Sequence, residues 1–296
     1  PPPSTGGGGD AMQFGPTVSW PKVFWFGGHI LITAVFAIPL LRWDSLLMFA
    51  ALSSLILCAG HSVGVHRLMI HRSFVAPRGL ERFLVYLGTL LGMAGPLELV
   101  RFHHERDTLQ HQTQCPDFFC HRAGWLRDFV YNLFCVYRLP PQAVPAVSNA
   151  GFADPFIRFL DWSWRLQQLP LAVLLWSVGG WSWVVWGVSV RIVVSVIGHW
   201  YVGYRCHNDG ERPHWDSSAS VQGSNHWLLG VLSFGEGFHN NHHAFPNSAR
   251  MGLEPGQLDL GFLFIRLLER MGWAERINDG CDVRHRDRAR PLAPSR

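Results

Sequence analysis

The apolar residues of this chain fall in long unbroken runs rather than at every second or every third to fourth position. Val23 to Leu41 contains no charged residue, and Ser45 to Val65 is a second uncharged run; the polar turn Arg42-Trp43-Asp44 separates them. Crossing a bilayer core about 30 Å thick takes about 20 helical residues. Each run therefore predicts a spanning helix, and the short turn predicts a hairpin whose outer ends lie on one side. The arrangement recurs: Leu169 to Val190 is uncharged and rich in tryptophan, and Ile192 to Tyr204 continues apolar beyond Arg191. The second turn falls either at the Gly179-Gly180 pair or at Arg191. Phe83 to Leu97 is apolar too, but three glycines interrupt it and Glu98 follows. It predicts either a shallow re-entrant segment or a buried helix packed on the hairpins. The expected fold is an all-α integral membrane protein: two transmembrane helical hairpins, about four spans, with a cytoplasmic helical layer.

Composition agrees and adds an orientation. The hydrophobic fraction is 48% and the charged fraction 16%, the latter well below the roughly 25% of a soluble domain. Lys22 is the only lysine, and almost all the arginines lie in Val65 to Gln168 and Arg205 to Arg296. Basic residues favour the cytoplasmic side, so those segments and both termini are expected there, in a bacterial inner membrane. No Lys/Arg-rich block is interleaved with exposed aromatics, which excludes nucleic acid as a partner. The six cysteines form no C-x-x-C pair, against a zinc ribbon or disulfide framework. The opening PPPSTGGGGD cannot pack a core, and no secretory leader is expected. The division predicted is a disordered lead-in over residues 1–20, a membrane domain over 21–275 and a tail over 276–296.

Against this background the sixteen histidines carry the chemistry. His66 and His71 follow the second apolar run directly. Imidazoles five apart converge on a metal only if the helix ends or widens between them, and the spacing alone is common on surfaces. His103-His104 precede Asp107 and His111, and positions 103 and 107, or 104, 107 and 111, share a helical face. A solvated polar helix explains Glu105 and Arg106 there, but not the adjacent histidines. In GEGFHNNHHAFP (235–246), His239, His242 and His243 stand at i, i+3 and i+4 on one predicted helical face, which Pro246 closes. Three imidazoles so close repel one another if protonated and gain little if neutral and unliganded; metal ligation resolves both. Each cluster adjoins an apolar segment on the predicted cytoplasmic side, none contains sulfur, and imidazole-rich ligation suits iron that must bind oxygen.

Other residues are weaker candidates. His199, at the end of the last apolar stretch, points toward the same polar layer and is a candidate extra ligand. His207 and His226 rank below it, and His29, His61, His121, His214 and His285 read as structural or surface residues. Glu236, Asp107, Asn240 and Asn241 are candidates to orient the imidazoles from outside. Arg67, Arg72, Arg78 and Arg101 could engage the phosphates of an acyl carrier, although positive-inside bias explains them equally well.

Through HRLMIHRSF at 66–74, GEGFHNNHHAFPNSAR at 235–250 and the hairpins around them, the chain resembles the membrane-bound fatty acid desaturases. The likeness is strongest to the acyl-CoA type of bacteria and covers roughly residues 20–275. It implies two non-haem irons held by eight or nine histidines in H-x4-H, H-x-x-H-H and H-x-x-H-H boxes, plus one near the last span. His66 and His71 fill the first box; His239, His242 and His243 fill the last; His199 resembles the extra ligand, one residue farther from Gly203-Tyr204-Arg205 than the pattern has it. The second box departs: His103-His104 is followed by Asp107, as if a nitrogen ligand had become a carboxylate or moved to His111.

The resemblance implies O2-dependent desaturation of a fatty acyl chain carried as acyl-CoA or acyl-lipid. The protein's part is to hold two adjacent methylenes by the metals and keep water away. No C-x-x-C cluster, dinucleotide motif or haem module is present, so a separate ferredoxin- or cytochrome-type donor with its reductase is expected. The rival reading is a histidine-box hydroxylase or ketolase acting on a lipid or alkane. A metal transporter or sensor is a more distant one, because it would bury polar ligands at mid-membrane depth, whereas these clusters flank the runs.

Overall fold

A computed structural model describes residues 15–140 and 143–280, together with the backbone of 289–291. The opening ten residues, His285 and Cys281 lie outside the described residues. The chain is mostly helical. Strand β1, Gly15–Val18, leads into helix α1, Trp20–Phe36. After a turn, α2 runs from Trp43 to Ile70, α-helical to Leu55 and π-helical from Ile56 onward. Two shorter helices follow, α3 (Arg78–Thr89) and α4 (Pro96–Gln110). Helices α5 (Asp117–Cys120) and α6 (Trp125–Phe134) precede β2 (Cys135–Arg138), and β2 pairs antiparallel with β1. The part of the expected lead-in from Gly15 to Val18 is thus a strand, because its amides find partners on β2.

Helix α7, Pro155–Ser163, is N-capped by Asp154, whose side chain accepts from the amides of Phe156 and Ile157. Helix α8 then runs from Gln168 to Asn208 but is broken at Gly180, where φ is 65° and ψ −156°. That conformation is open to glycine and strained for other residues, and it sets the second turn. The two arms of α8 fold back on each other: Leu171, Leu175, Val188 and Ile192 share one core cluster, and Arg191 Nη2 donates to Gln168 Oε1 at 2.7 Å. Arg191 ends nothing. It is buried within the longer arm, donating to the carbonyls of Gly187 and Leu90 and to Gln168 Oε1.

The two turns lie side by side. Ser182 Oγ donates to Leu40 O at 2.7 Å, Trp186 Nε1 to Ala37 O at 3.0 Å, and Trp183 Nε1 to Asp44 Oδ2 at 3.1 Å. At the opposite end a polar layer gathers the short elements. It holds β3 (His214–Asp216), α9 (Trp227–Leu232), α10 (His239–Ala244) and α11 (Leu260–Arg270), with β4 (Ala289–Pro291) paired to β3. Among the described residues, two helices, α2 and α8, are long and apolar enough to cross a membrane.

The main core forms where α3 and α11 pack on the π-helical end of α2, through Ile56, Val63, Leu68, Leu84, Leu91, Ile265 and Leu268. Each such side chain contributes about 1.5–3 kcal/mol on leaving water. Gly60 and Gly64 let α3 come this close: a Cβ on the first would collide with Gly88, and on the second with Leu84. Of the apolar segment Phe83 to Leu97, the part up to Thr89 is therefore helix α3 packed against α2, and the rest turns through Gly92 and Gly95 into α4.

Candidate metal centre

The end of α2 is wound so that the amide of His71 donates to the carbonyl of His66, five residues back. In an α-helix residues five apart point about 140° away from each other; the wider winding brings the rings of His66 and His71 to 4.9 Å between centroids. His103 enters from α4, with its Nε2 at 3.1 Å from Nε2 of His66 and 2.7 Å from Nε2 of His71. His242 completes the group, its ring 4.7 Å from His66 and 4.8 Å from His71. The ligand atoms of these four residues all lie within 4.8 Å of one another.

A second cluster sits beside the first. His207, His239 and His243 also bring their ligand atoms within 4.8 Å of one another. Nε2 of His239 is 3.2 Å from that of His207 and 3.0 Å from that of His243. The last histidine box thus serves both clusters. His239 and His243 are four apart and share a face of α10, whereas His242, next to His243, projects about 100° away into the first cluster. The single shared face expected from the i, i+3, i+4 spacing is in fact two.

The proton inventory suits a cation. Nδ1 of His66 lies 2.6 Å from Glu236 Oε2, and Ser62 Oγ donates to Glu236 Oε1 at 2.6 Å. A neutral imidazole has one N–H, so with Nδ1–H given to Glu236, Nε2 of His66 turns a bare lone pair inward. Nδ1 of His103 lies 3.2 Å from Asp107 Oδ1 and 2.8 Å from Arg106 Nη2. Ring nitrogens converging at these distances suit a positive ion standing among them. Burial and neighbouring imidazoles push His71 down to about 3, and burial with the nearby Arg106 holds His243 at about 4. His239 and His242 lie well below the usual histidine range for the same reasons, burial first. At neutral pH these rings are uncharged, the form that binds metal. The donor set fits metal ions at both clusters, with four imidazoles in one and three in the other.

The other predicted residues separate clearly. Glu236 stands where expected, behind His66. Asn240 and Asn241 do not touch the imidazoles. Asn240 bonds to His214 and Gly223, Asn241 to Met251 and Gln257, and both of their backbone amides donate to Asn225 Oδ1. They fix the loop that carries the box. His104 is in neither cluster; one residue along an α-helix from His103 it points away and meets the carbonyl of Pro145 at 3.0 Å. His111 is exposed and meets the carbonyl of Asp107 at 2.7 Å. His199 is not in either cluster and packs against His61, ring to ring at 4.9 Å.

His207, rather than His199, is the histidine of α8 that stands with His239 and His243. Its position is the signal in the sequence: it lies two residues beyond Gly203-Tyr204-Arg205, in the last turn of α8, where that helix enters the polar layer. His121, expected to be structural, stacks on His207 at 5.4 Å and is held by Asp128 at 2.8 Å. Arg67 is wholly buried on Asp259, so it faces no acyl carrier. Arg72, Arg78 and Arg101 are paired with Glu81, Asp154 and Asp161.

A small cavity of about 60 Å³ opens beside the centre, lined by Asp107, Gln110, His111, His242, His243 and Pro246. Removing the carboxylate behind His66 should loosen metal there. Glu236→Ala is expected to lower metal affinity about 10–100-fold, read by competition with a chelator; unchanged retention would show that Glu236 does not support the ligand.

The sequence matches the family described as Fatty acid desaturase over residues 43–253. It is 36% identical over 270 residues to sn-1 stearoyl-lipid 9-desaturase of Anabaena variabilis, covering 88% of this chain and 94% of that protein. An enzyme of the same description from Synechocystis sp. is 31% identical over 268 residues, covering 88% and 80%. Acyl-CoA C20 Delta5-desaturase of Anemone leveillei is 32% identical over 269 residues, covering 88% and 82%.

Proposed function

The chain belongs to the fatty acid desaturase family, and on that premise we propose that it introduces a carbon–carbon double bond into a fatty acyl chain, using two irons held by its paired histidine clusters. The observation that carries this reading is the convergence of seven imidazoles from four separate stretches of sequence into two adjacent clusters. A reduced iron pair, when bound, supplies with O2 the oxidising power to remove two hydrogens from adjacent methylenes, with two electrons from the substrate and two from a donor reducing O2 to water. The protein's own residues position. His66, His71, His103 and His242 would hold one ion, and His207, His239 and His243 the other. Glu236 keeps the Nδ1 proton of His66 and so presents Nε2. Asn225, Asn240 and Asn241 fix the loop that carries the last box.

The same reading makes residues 21–275 the catalytic membrane domain. Phe24, Leu31, Ile38, Trp43, Leu47, Val173, Trp176 and Trp181 expose large apolar side chains on the hairpins, whereas the π-helical end of α2 is buried. A girdle of that size needs a lipid solvent. Four apolar segments then enter the bilayer, α1, α2 and the two arms of α8, with the adjacent hairpin turns on the far side. The arginine-rich layer, both termini and the metal centre face the cytoplasm of a bacterial inner membrane. Acyl-lipid and acyl-CoA are the two substrate forms among the relatives; electrons come from a separate ferredoxin- or cytochrome-type donor.

The test is a lipid profile of a host expressing the chain. New monounsaturated acyl groups are expected, and their position reports the regiochemistry. New hydroxylated acyl groups instead, or an unchanged profile from a chain loaded with iron and supplied with a donor, would overturn the reading.

A further inference from the structure

The two clusters are not equivalent, and the difference traces to the second histidine box. Counted from His103, the H-x-x-H-H pattern falls on Arg106 and Asp107. This chain therefore carries an adjacent cation and carboxylate where the pattern has two imidazoles. The Arg106 side chain is mostly buried, with Nη2 at 2.8 Å from Nδ1 of His103 and Nε at 3.6 Å from Asp107 Oδ1. Its charge is felt at His71 in the first cluster and at His239 in the second. The cation thus touches the first cluster at His103 and reaches the second only across space.

The remaining donors are unevenly shared. The first cluster has four imidazoles, two of them backed by carboxylates: His66 by Glu236 at 2.6 Å and His103 by Asp107 at 3.2 Å. The second has three imidazoles and, among the described residues, no carboxylate in ion-pair range of any of them. Outer carboxylates raise the basicity of the imidazoles they hold and fix their orientation. Once the first cluster is filled, a dication entering the second also approaches another dication.

We infer that this chain binds its metals with unequal affinity, filling the site of His66, His71, His103 and His242 first and holding the metal of His207, His239 and His243 weakly and exchangeably. The inference rests on the metal-centre reading above and goes beyond it in ranking the sites.

The full-length protein, purified in detergent and stripped of metal, would be titrated anaerobically with cobalt(II) and followed by its ligand-field bands and by bound metal after gel filtration. Two classes are expected, one equivalent each, with dissociation constants at least about tenfold apart. His239→Ala should abolish the weak class and spare the tight one, while His71→Ala should weaken the tight one. Arg106→His combined with Asp107→His, which restores the adjacent pair, should narrow the gap. Two equivalents bound with one constant would overturn the inference, as would loss of the tight class in His239→Ala or an undiminished gap in the restored pair. No cobalt bound at any concentration would instead overturn the metal-centre reading itself, so the two failures are distinguishable. The wild-type titration decides the matter even if a variant fails to fold.

Discussion

Replacing His242 by alanine is expected to abolish metal at the first cluster and double-bond formation together. The side chain is buried, touches the rings of both His66 and His71, and lies 5.8 Å from His239 and 6.1 Å from His243 between centroids. No other group in the last box reaches the first cluster, because His239 and His243 share the other face of α10. The loss should exceed the roughly 10–100-fold in metal affinity that removal of an outer-shell partner costs, since a ligand goes and the neighbouring lone pairs remain unscreened. Metal analysis and lipid profiling of the same preparation check it. The control is His104→Ala, whose ring caps the Pro145 carbonyl away from both clusters and whose loss should leave metal content unchanged. Full metal content and activity in His242→Ala would remove the last box from the site.

The contrast between His242 and His104 shows what the chain makes legible on its own. Unbroken apolar runs fix the existence of α1 and α2 by length and charge alone, because a bilayer imposes a length that composition reports directly; the turn itself spans residues 37–42, and Trp43 and Asp44, expected in it, open α2. Histidine spacing within one box is equally local, so His66, His71, His239, His242 and His243 are found from it. What spacing does not reveal is which of two metals each ring serves. That depends on azimuth, and the π-winding between Ile56 and Ile70 changes azimuth by an amount no periodicity in the sequence announces. His104 could have been set aside from helix geometry, since residues about 100° apart cannot both face one ion. His207 was the harder case. Its cluster is closed by His239 and His243, more than 30 residues downstream, and only the path of α8 past its break at Gly180 brings them together. The phosphate-binding reading of Arg67 failed for a related reason: its partner, Asp259, is far away in sequence and lies on no shared motif.

That buried pair carries the largest expected effect on stability. Asp259 Oδ1 accepts from Arg67 Nη2 at 3.0 Å and from the amide of Phe262 at 2.9 Å, capping α11, while Oδ2 accepts from the amides of Met251 and Gly252 at 2.7 and 3.2 Å. Arg67 also donates to Ala249 O at 2.9 Å and Phe234 O at 2.8 Å. One guanidinium and one carboxylate therefore tie the end of α2, which bears His66 and His71, to the segments on either side of the last histidine box. In Asp259→Ala the guanidinium is left buried without its counter-charge and three amides lose their acceptor. Breaking such a pair costs roughly 3–5 kcal/mol, against a total stability on the order of 5–15 kcal/mol. Thermal unfolding in detergent should shift down by many degrees, with metal lost before the helices melt, because the ligand-bearing ends separate first. Combining Arg67→Leu with Asp259→Leu removes both charges and should recover part of the loss, though not the cap on α11. A variant Asp259→Ala that unfolds within a degree or two of the wild type would show that the clamp does not hold the centre together.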